Sequence, residues 1–164
     1  MITSELYDLF LKSNGVSTDT RSIVKGSIFF CLKGGNFDGN NFALEALKKG
    51  ANYVVIDNHK LKNPKFIKVD DVLIALQKLS AFHRSKLKNT IFIAITGSNG
   101  KTTTKELLHI VLNKGFKTIS TLGNLNNHIG VPLTLLNIKK NSDFAIVEMG
   151  ANHIGEIKTL CEIA

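Results

Sequence analysis

Apolar residues recur along this chain at two spacings, and the spacing switches repeatedly. Leu6, Leu9 and Phe10 fall on one side of Ser4–Lys12, which predicts a short amphipathic helix closed by an Asn14-Gly15 turn. The run Ile28–Leu32 reads as a buried strand, and Gly34-Gly35 and Asp38-Gly39 mark a loop. Phe42–Lys49 reads as a helix stopped at Gly50. Tyr53–Ile56 and Phe66–Val69 predict two further strands. Asp70 or Asp71 can cap a helix running to about Lys86, because Val72, Leu76, Leu79 and His83 share one face.

The polar stretch Lys86–Thr90 predicts a join between two domains, 1–88 and 89–164. Ile91–Ile95 then reads as the best buried strand of the chain. A glycine-bearing turn leads to a helix whose Leu107, Leu108, Val111 and Leu112 are expected to face a core, ending at Gly115. Strand Thr118–Thr121, a helix near Val131–Leu136, strand Phe144–Met149 and a helix from about Gly155 follow. This alternation predicts an α/β fold with a parallel, doubly wound sheet. A sheet of about three strands is small, so the sequence reads as cut short rather than complete.

Composition narrows the class. Of 164 residues, 43% are hydrophobic and 21% charged, ordinary for a soluble globular protein of one or two domains. The net charge of +8 comes almost wholly from scattered lysines, since Arg21 and Arg84 are the only arginines. Such scatter describes a solvated surface, or a positive field that draws an anionic substrate such as a nucleotide. Nucleic-acid readers rely on arginine forks and stacking aromatics. Tryptophan is absent and most phenylalanines sit in apolar runs, so no nucleic-acid partner is expected. Cys31 lies in an apolar run and pairs in no C-x-x-C with Cys161, which predicts a buried thiol and a reducing compartment. His59, His83 and His109 read as surface or helix-face residues without ligand spacing. The start of the chain lacks a signal-peptide layout, and no apolar run is long enough to cross a bilayer. A cytoplasmic protein without membrane insertion is expected.

The segment Ile91 to Thr103 carries chemistry. It reads as strand, turn and helix start, with glycines at 97 and 100 letting successive N–H groups turn inward beside a helix N-terminus. Gly97, Ser98, Asn99, Gly100, Lys101, Thr102 and Thr103 form a candidate ATP-phosphate loop. Lys101 can reach the β- and γ-phosphates, and the Thr102 hydroxyl can hold Mg²⁺. The generic motif places a glycine at position 95, where this chain has Ile95, so the match is to Gly-x-x-Gly-Lys-Thr. Glu148 ends a strand, where an acid of a phosphate-loop fold holds the metal.

These residues resemble the ATP loop of the Mur ligases and their folylpolyglutamate relatives. Gly123-Asn124-Leu125-Asn126-Asn127-His128-Ile129-Gly130-Val131-Pro132-Leu133-Thr134 and Glu148-Met149-Gly150-Ala151-Asn152-His153-Ile154-Gly155-Glu156-Ile157 are similar to the MurF branch. Asp19-Thr20-Arg21-Ser22 and the segment Phe29 to Gly39 resemble its UDP-binding domain. The resemblance runs through nearly the whole chain. It implies a small amino-terminal α/β UDP-binding domain followed by a truncated parallel α/β ATP-binding domain.

It also implies an ATP- and magnesium-dependent ligase that joins D-alanyl-D-alanine to a UDP-N-acetylmuramoyl tripeptide through an acyl phosphate. Lys101 would be catalytic, with Thr102 and Glu148 at the metal. A lysine carbamylated to bind a second magnesium, and the dipeptide site, would lie beyond Ala164, so the isolated chain is expected to be inactive. Arg21, beside Thr20, could fork onto a diphosphate or make a surface ion pair. Asn124, Asn126 and Asn127 could contact the muramoyl peptide or serve as turn residues. His153 could meet substrate or cap the next helix. Another Mur-type or folylpolyglutamate-type ligase, and a non-catalytic nucleotide-binding module, are the competing readings.

Overall fold

A parallel four-stranded sheet organises the first part of the chain. The computed structural model describes residues 2–164 and divides into two units, one up to Leu79 and one from Ser80 to Ala164. The first unit contains α1 (Thr3–Leu11), β1 (Val16–Ser17), β2 (Ile28–Phe30), β3 (Lys33–Gly34), β4 (Phe37–Asp38), α2 (Ala43–Lys48), β5 (Tyr53–Ile56), β6 (Phe66–Lys68) and the start of α3 (Val72–Lys86). The main sheet runs β1-β2-β5-β6, and β3-β4 forms a separate antiparallel hairpin. Phe29, Cys31, Ala43, Ala46, Val54 and Ile56 make its core. Each large side chain fully buried there stabilises the fold by roughly 1.5–3 kcal/mol.

The expected caps and faces of this unit are present. Asp71 accepts the Ile74 N–H at 2.8 Å and starts α3, on which Val72, Leu76 and Leu79 are buried. Three short strands, β1, β3 and β4, lie where no strand is predicted, because two-residue pairings carry no periodic signal. The division at Leu79/Ser80 falls within α3, upstream of the polar stretch where the join is expected.

The second unit adds β7 (Ile91–Ile95), α4 (Lys101–Leu112), β8 (Thr118–Ser120), α5 (Gly130–Asn137), β9 (Phe144–Glu148) and α6 (Glu156–Ile163). Its parallel sheet has the order β7-β9-β8, with Ile91 opposite Phe144 and Ile95 opposite Glu148. Val131, Leu135, Ala145, Val147, Leu160 and Ile163 pack together as its core.

Two expectations are corrected here. The strand Ile91–Ile95 is not the best buried one: it is the edge of the sheet, and Ile91 is 57% exposed. The most buried strand of this sheet is β9, which has neighbours on both sides and buries every residue from Ala145 to Glu148. Of the four α4 residues expected to face a core, Leu107 and Val111 do not, being 60% and 67% exposed, whereas Leu108 and Leu112 are half-buried. The helix instead turns Lys105 inward, toward the carbonyls that follow β8. His83 lies on the helix face it was expected to share with Val72, Leu76 and Leu79, only 4% exposed, with Nε2 2.8 Å from the Ile138 carbonyl. Burial of the ring pushes its pKa below 6.5.

Candidate functional site

β7 ends where the phosphate-loop sequence begins. Gly97 and Gly100 have φ of +149° and +76°, which a side chain would strain. A Cβ on Gly100 would meet open space, so conformation rather than crowding demands glycine there. Gly100 caps α4 without any side-chain hydrogen bond. The N–H groups of the first turn therefore stand free for an anion at the positive end of the helix. Lys101 Nζ folds back to donate to the Gly97 carbonyl at 2.6 Å, inside the loop it belongs to. Residues 96–100 are all exposed.

The β7–β9 register brings Glu148 beside this loop. Its carboxylate is 1% exposed. Oε1 accepts from the Thr102 hydroxyl at 3.1 Å and from the Asn126 amide at 2.7 Å. Oε2 is buried and has no hydrogen-bond partner among the described residues. The Glu148 N–H is held by Thr121 Oγ1 at 2.9 Å, which fixes the strand end. Leaving a buried carboxylate oxygen unsatisfied is costly, so the site is preset for a further donor or cation.

Lys105 is a site residue that sequence reasoning missed. It is 0% exposed, and its Nζ donates to the Thr121 and Gly123 carbonyls at 2.7 and 3.0 Å. It also lies 2.9 Å from Glu106 Oε1 and 3.8 Å from Glu148 Oε2. Its spacing four residues after Lys101 was the available signal, since that puts it on the same helix face.

The asparagine segment connects β8 to α5. Asn127 Oδ1 accepts from the Ile129 and Gly130 N–H groups at 3.0 and 2.9 Å, so it starts α5 as a turn residue. Asn126 points its amide at Glu148, and its carbonyl accepts from Gly150 N at 2.8 Å. Asn124 is exposed, and its carbonyl accepts from Asn126 N at 2.7 Å. A cleft of about 590 Å³ is lined by Lys101, Asn126, Asn127, Gly150, His153 and Glu156, among others. His153 is exposed there. Glu156 accepts from Asn152 and His153 N–H groups at 2.6 and 3.1 Å. Those two backbone bonds hold the Glu156 pKa below its ordinary value.

Lys101, Thr102, Asn126, Asn127, Glu148 and His153 are thus gathered at one end of the second sheet. Thr20 and Arg21 belong to the first unit, in a 3-10 turn at Thr20–Ser22. Arg21 forks onto Asp19 there, with Nη2–Oδ2 at 2.6 Å and Nε–Oδ1 at 3.0 Å. That side-chain hydrogen bond, helped by the Arg21 backbone N–H, holds Asp19 down at a pKa of about 2. The Thr20 carbonyl accepts from Lys49 Nζ at 3.0 Å.

No group of three or more His, Cys, Asp or Glu side chains among the described residues could hold a metal alone. One hydroxyl and one carboxylate whose Oε2 accepts no hydrogen bond do fit a hard divalent cation whose other ligands are phosphate oxygens and water.

A family model described as the Mur ligase middle domain matches residues 95–164, and one described as the Mur ligase family catalytic domain matches residues 12–87. The UDP-N-acetylmuramoyl-tripeptide–D-alanyl-D-alanine ligase of Bacillus subtilis is 43% identical over 154 residues, covering 92% of this chain and 34% of the relative. The Escherichia coli protein of the same name is 39% identical, over 96% of this chain and 34% of its own length. The chain therefore spans about a third of the length of these relatives. Among solved structures, MurF from Acinetobacter baumannii superposes with a TM-score of 0.85 at 33% identity, over 98% of this chain and 38% of that one. MurF ligase from Thermotoga maritima in complex with ADP gives a TM-score of 0.82 at 32% identity, over 96% and 36%.

Proposed function

Because this chain belongs to the Mur ligase family, we propose that it supplies the UDP-binding and phosphate-binding parts of an ATP-dependent amide ligase. The reaction joins D-alanyl-D-alanine to a UDP-N-acetylmuramoyl tripeptide, in the cytoplasm and without a nucleic-acid partner. Residues 1–88 hold the UDP end of the substrate, and 89–164 begin the ATP-binding domain. The observation that carries the reading is the pairing of Ile95 with Glu148, because it sets a Gly-x-x-Gly-Lys-Thr loop beside a buried acid 3.1 Å from the Thr102 hydroxyl.

A carboxylate is a poor acyl donor. In the proposed reaction the tripeptide's terminal carboxylate attacks the γ-phosphorus, an acyl–phosphate bond forms and ADP leaves. The dipeptide amine then attacks the acyl carbon, phosphate departs with the bonding pair, and the nitrogen loses a proton. The N–H groups of Gly97 to Thr103 cradle the ATP phosphates, and Lys101 exchanges the Gly97 carbonyl for phosphate oxygens as charge moves between them. Thr102 and Glu148 would hold magnesium, which neutralises phosphate charge when bound. Thr20 and Arg21 serve the diphosphate of the UDP group. Asn124, Asn126, Asn127 and His153 serve the muramoyl peptide.

Titration calorimetry with ATP and magnesium tests the nucleotide half. Replacing Lys101 by alanine removes a charge-assisted bond, worth about 1.5–3 kcal/mol, and should weaken ATP roughly 10- to 100-fold. An unmodified chain that takes up no ATP, or a Lys101→Ala variant that binds it equally well, overturns the reading. UDP-muramoyl tripeptide should shift amide resonances around Arg21, and Arg21→Ala should abolish the shifts.

A further inference from the structure

Lys105 is the one lysine of the second unit with no exposure, on a helix whose Leu107, Ile110 and Val111 face outward. Burying an ammonium is costly unless every proton finds an acceptor. Here the three protons have three acceptors: the Thr121 carbonyl, the Gly123 carbonyl and Glu106 Oε1. Glu148 Oε2, at 3.8 Å, is too far for a hydrogen bond but close enough to feel the charge in a dry environment.

We propose that Lys105 is a positioning residue: a buried cationic strut that fixes the carboxyl end of β8 to the phosphate-loop helix and keeps Glu148 turned toward Thr102 and the nucleotide-bound cation. The inference rests on the ATP and magnesium reading above.

Of the two carbonyls it holds, that of Gly123 lies directly before Asn124–Asn127, so the strut sets where that segment starts. Asn126 in turn donates to Glu148 Oε1. The ammonium therefore acts on the carboxylate twice, once by attracting Oε2 and once through the segment that binds Oε1. Neither action touches the loop amides or Lys101. Removal of the strut should accordingly weaken the part of nucleotide affinity that magnesium adds, and leave the metal-free part largely intact. A lysine that only stabilises the fold would lower both parts together or neither.

The test compares ATP dissociation constants with excess magnesium and with a chelator, in the unmodified chain and in Lys105→Met. The variant should lose about tenfold of the magnesium-dependent gain, while metal-free affinity changes less than about threefold. Amide exchange across residues 121–127 should accelerate, and Lys105→Arg, which keeps the charge and donors, should restore the gain to within about threefold. An unchanged gain in Lys105→Met, or equal losses with and without magnesium, overturns the proposal. Should Lys105→Met fail to fold, Lys105→Arg decides: a folded variant with the normal gain supports the strut. A folded variant without that gain, or failure of both to fold, overturns it. Absence of ATP binding to the unmodified chain would instead remove the functional reading, and the exchange rates at 121–127 would still report on the strut.

Discussion

Replacing Gly130 by alanine is expected to destabilise the second unit by about 2–4 kcal/mol, although alanine is the better helix former. Gly130 opens α5 with an ordinary helical φ, so the backbone alone would gain about 1 kcal/mol from the change. The added Cβ, however, would sit 2.5 Å from the Leu125 Cα and carbonyl oxygen. Relaxed contact between such atoms needs roughly 3.5–4.0 Å, so the Leu125 backbone must retreat by about 1 Å. It cannot retreat freely, because its neighbour Asn126 is bonded to Gly150 N at 2.8 Å and to Glu148 at 2.7 Å. Overpacking of this kind costs about 1–3 kcal/mol. Loss of the bond to the Glu148 carboxylate adds roughly 1.5–3 kcal/mol. For a unit of this size the net corresponds to a fall in Tm on the order of 10–30 °C. Gly115→Ala is the control, since a Cβ there meets nothing within 4 Å and φ is not left-handed. It should be neutral or stabilise by up to about 1 kcal/mol. Urea and thermal unfolding followed by circular dichroism would compare the two. Equal stability of the two variants would refute the reasoning.

His83 is buried and its pKa lies below 6.5, so the unfolded chain takes up a proton that the folded chain refuses. Stability from this residue is complete above pH 6.5 and falls as pH drops from there toward the folded pKa; a His83→Gln variant should show a flatter urea midpoint between pH 8 and 5, and an unchanged slope would contradict the assignment. Cys31 is buried, with burial first and then Asp38 and Asp57 pushing its thiol up to about 12, whereas Cys161 is exposed. Alkylation of the native protein followed by peptide mapping should therefore label Cys161 alone, with Cys31 reacting only in denaturant; comparable labelling of both in the native state would refute this.

Much of the architecture is legible in the sequence because periodicity and punctuation agree. The helix on Val72, Leu76 and Leu79 combines an aspartate cap with a clean apolar stripe, and Tyr53–Ile56 is a strand at its expected limits. The loop at 97–103 is legible because glycines, lysine and threonine stand between a strand and a helix. Burial is legible less well where it depends on sheet order. Ile91–Ile95 is as apolar as a central strand yet, within residues 80–164, pairs on one side alone, and strand order depends on distant partners that a local pattern does not carry. On α4 the pattern misses the most buried residue: Lys105 is charged and so carries no weight in a hydrophobic pattern, while Leu107 and Val111 of the expected stripe are exposed. Arg21 is flagged as a possible fork, but its engagement with Asp19 depends on a 3-10 turn that composition does not signal.

The order β7-β9-β8 has an outcome that belongs to no side chain. From β7 the chain skips one position to form β8 and then steps back to β9. Two right-handed crossovers in opposite directions put α4 and α5 on opposite faces of the sheet. α6 packs with α5, so the segment leaving β9 departs toward one face while the loop leaving β7 departs toward the other. The backbone therefore parts between two adjacent strands and opens a crevice at a topological switch point. Its position is set by winding alone, before any loop residue is chosen. Changes within 123–130 or 150–156 should alter which ligand the crevice accepts, while a slip of the β7–β9 register would remove the crevice itself.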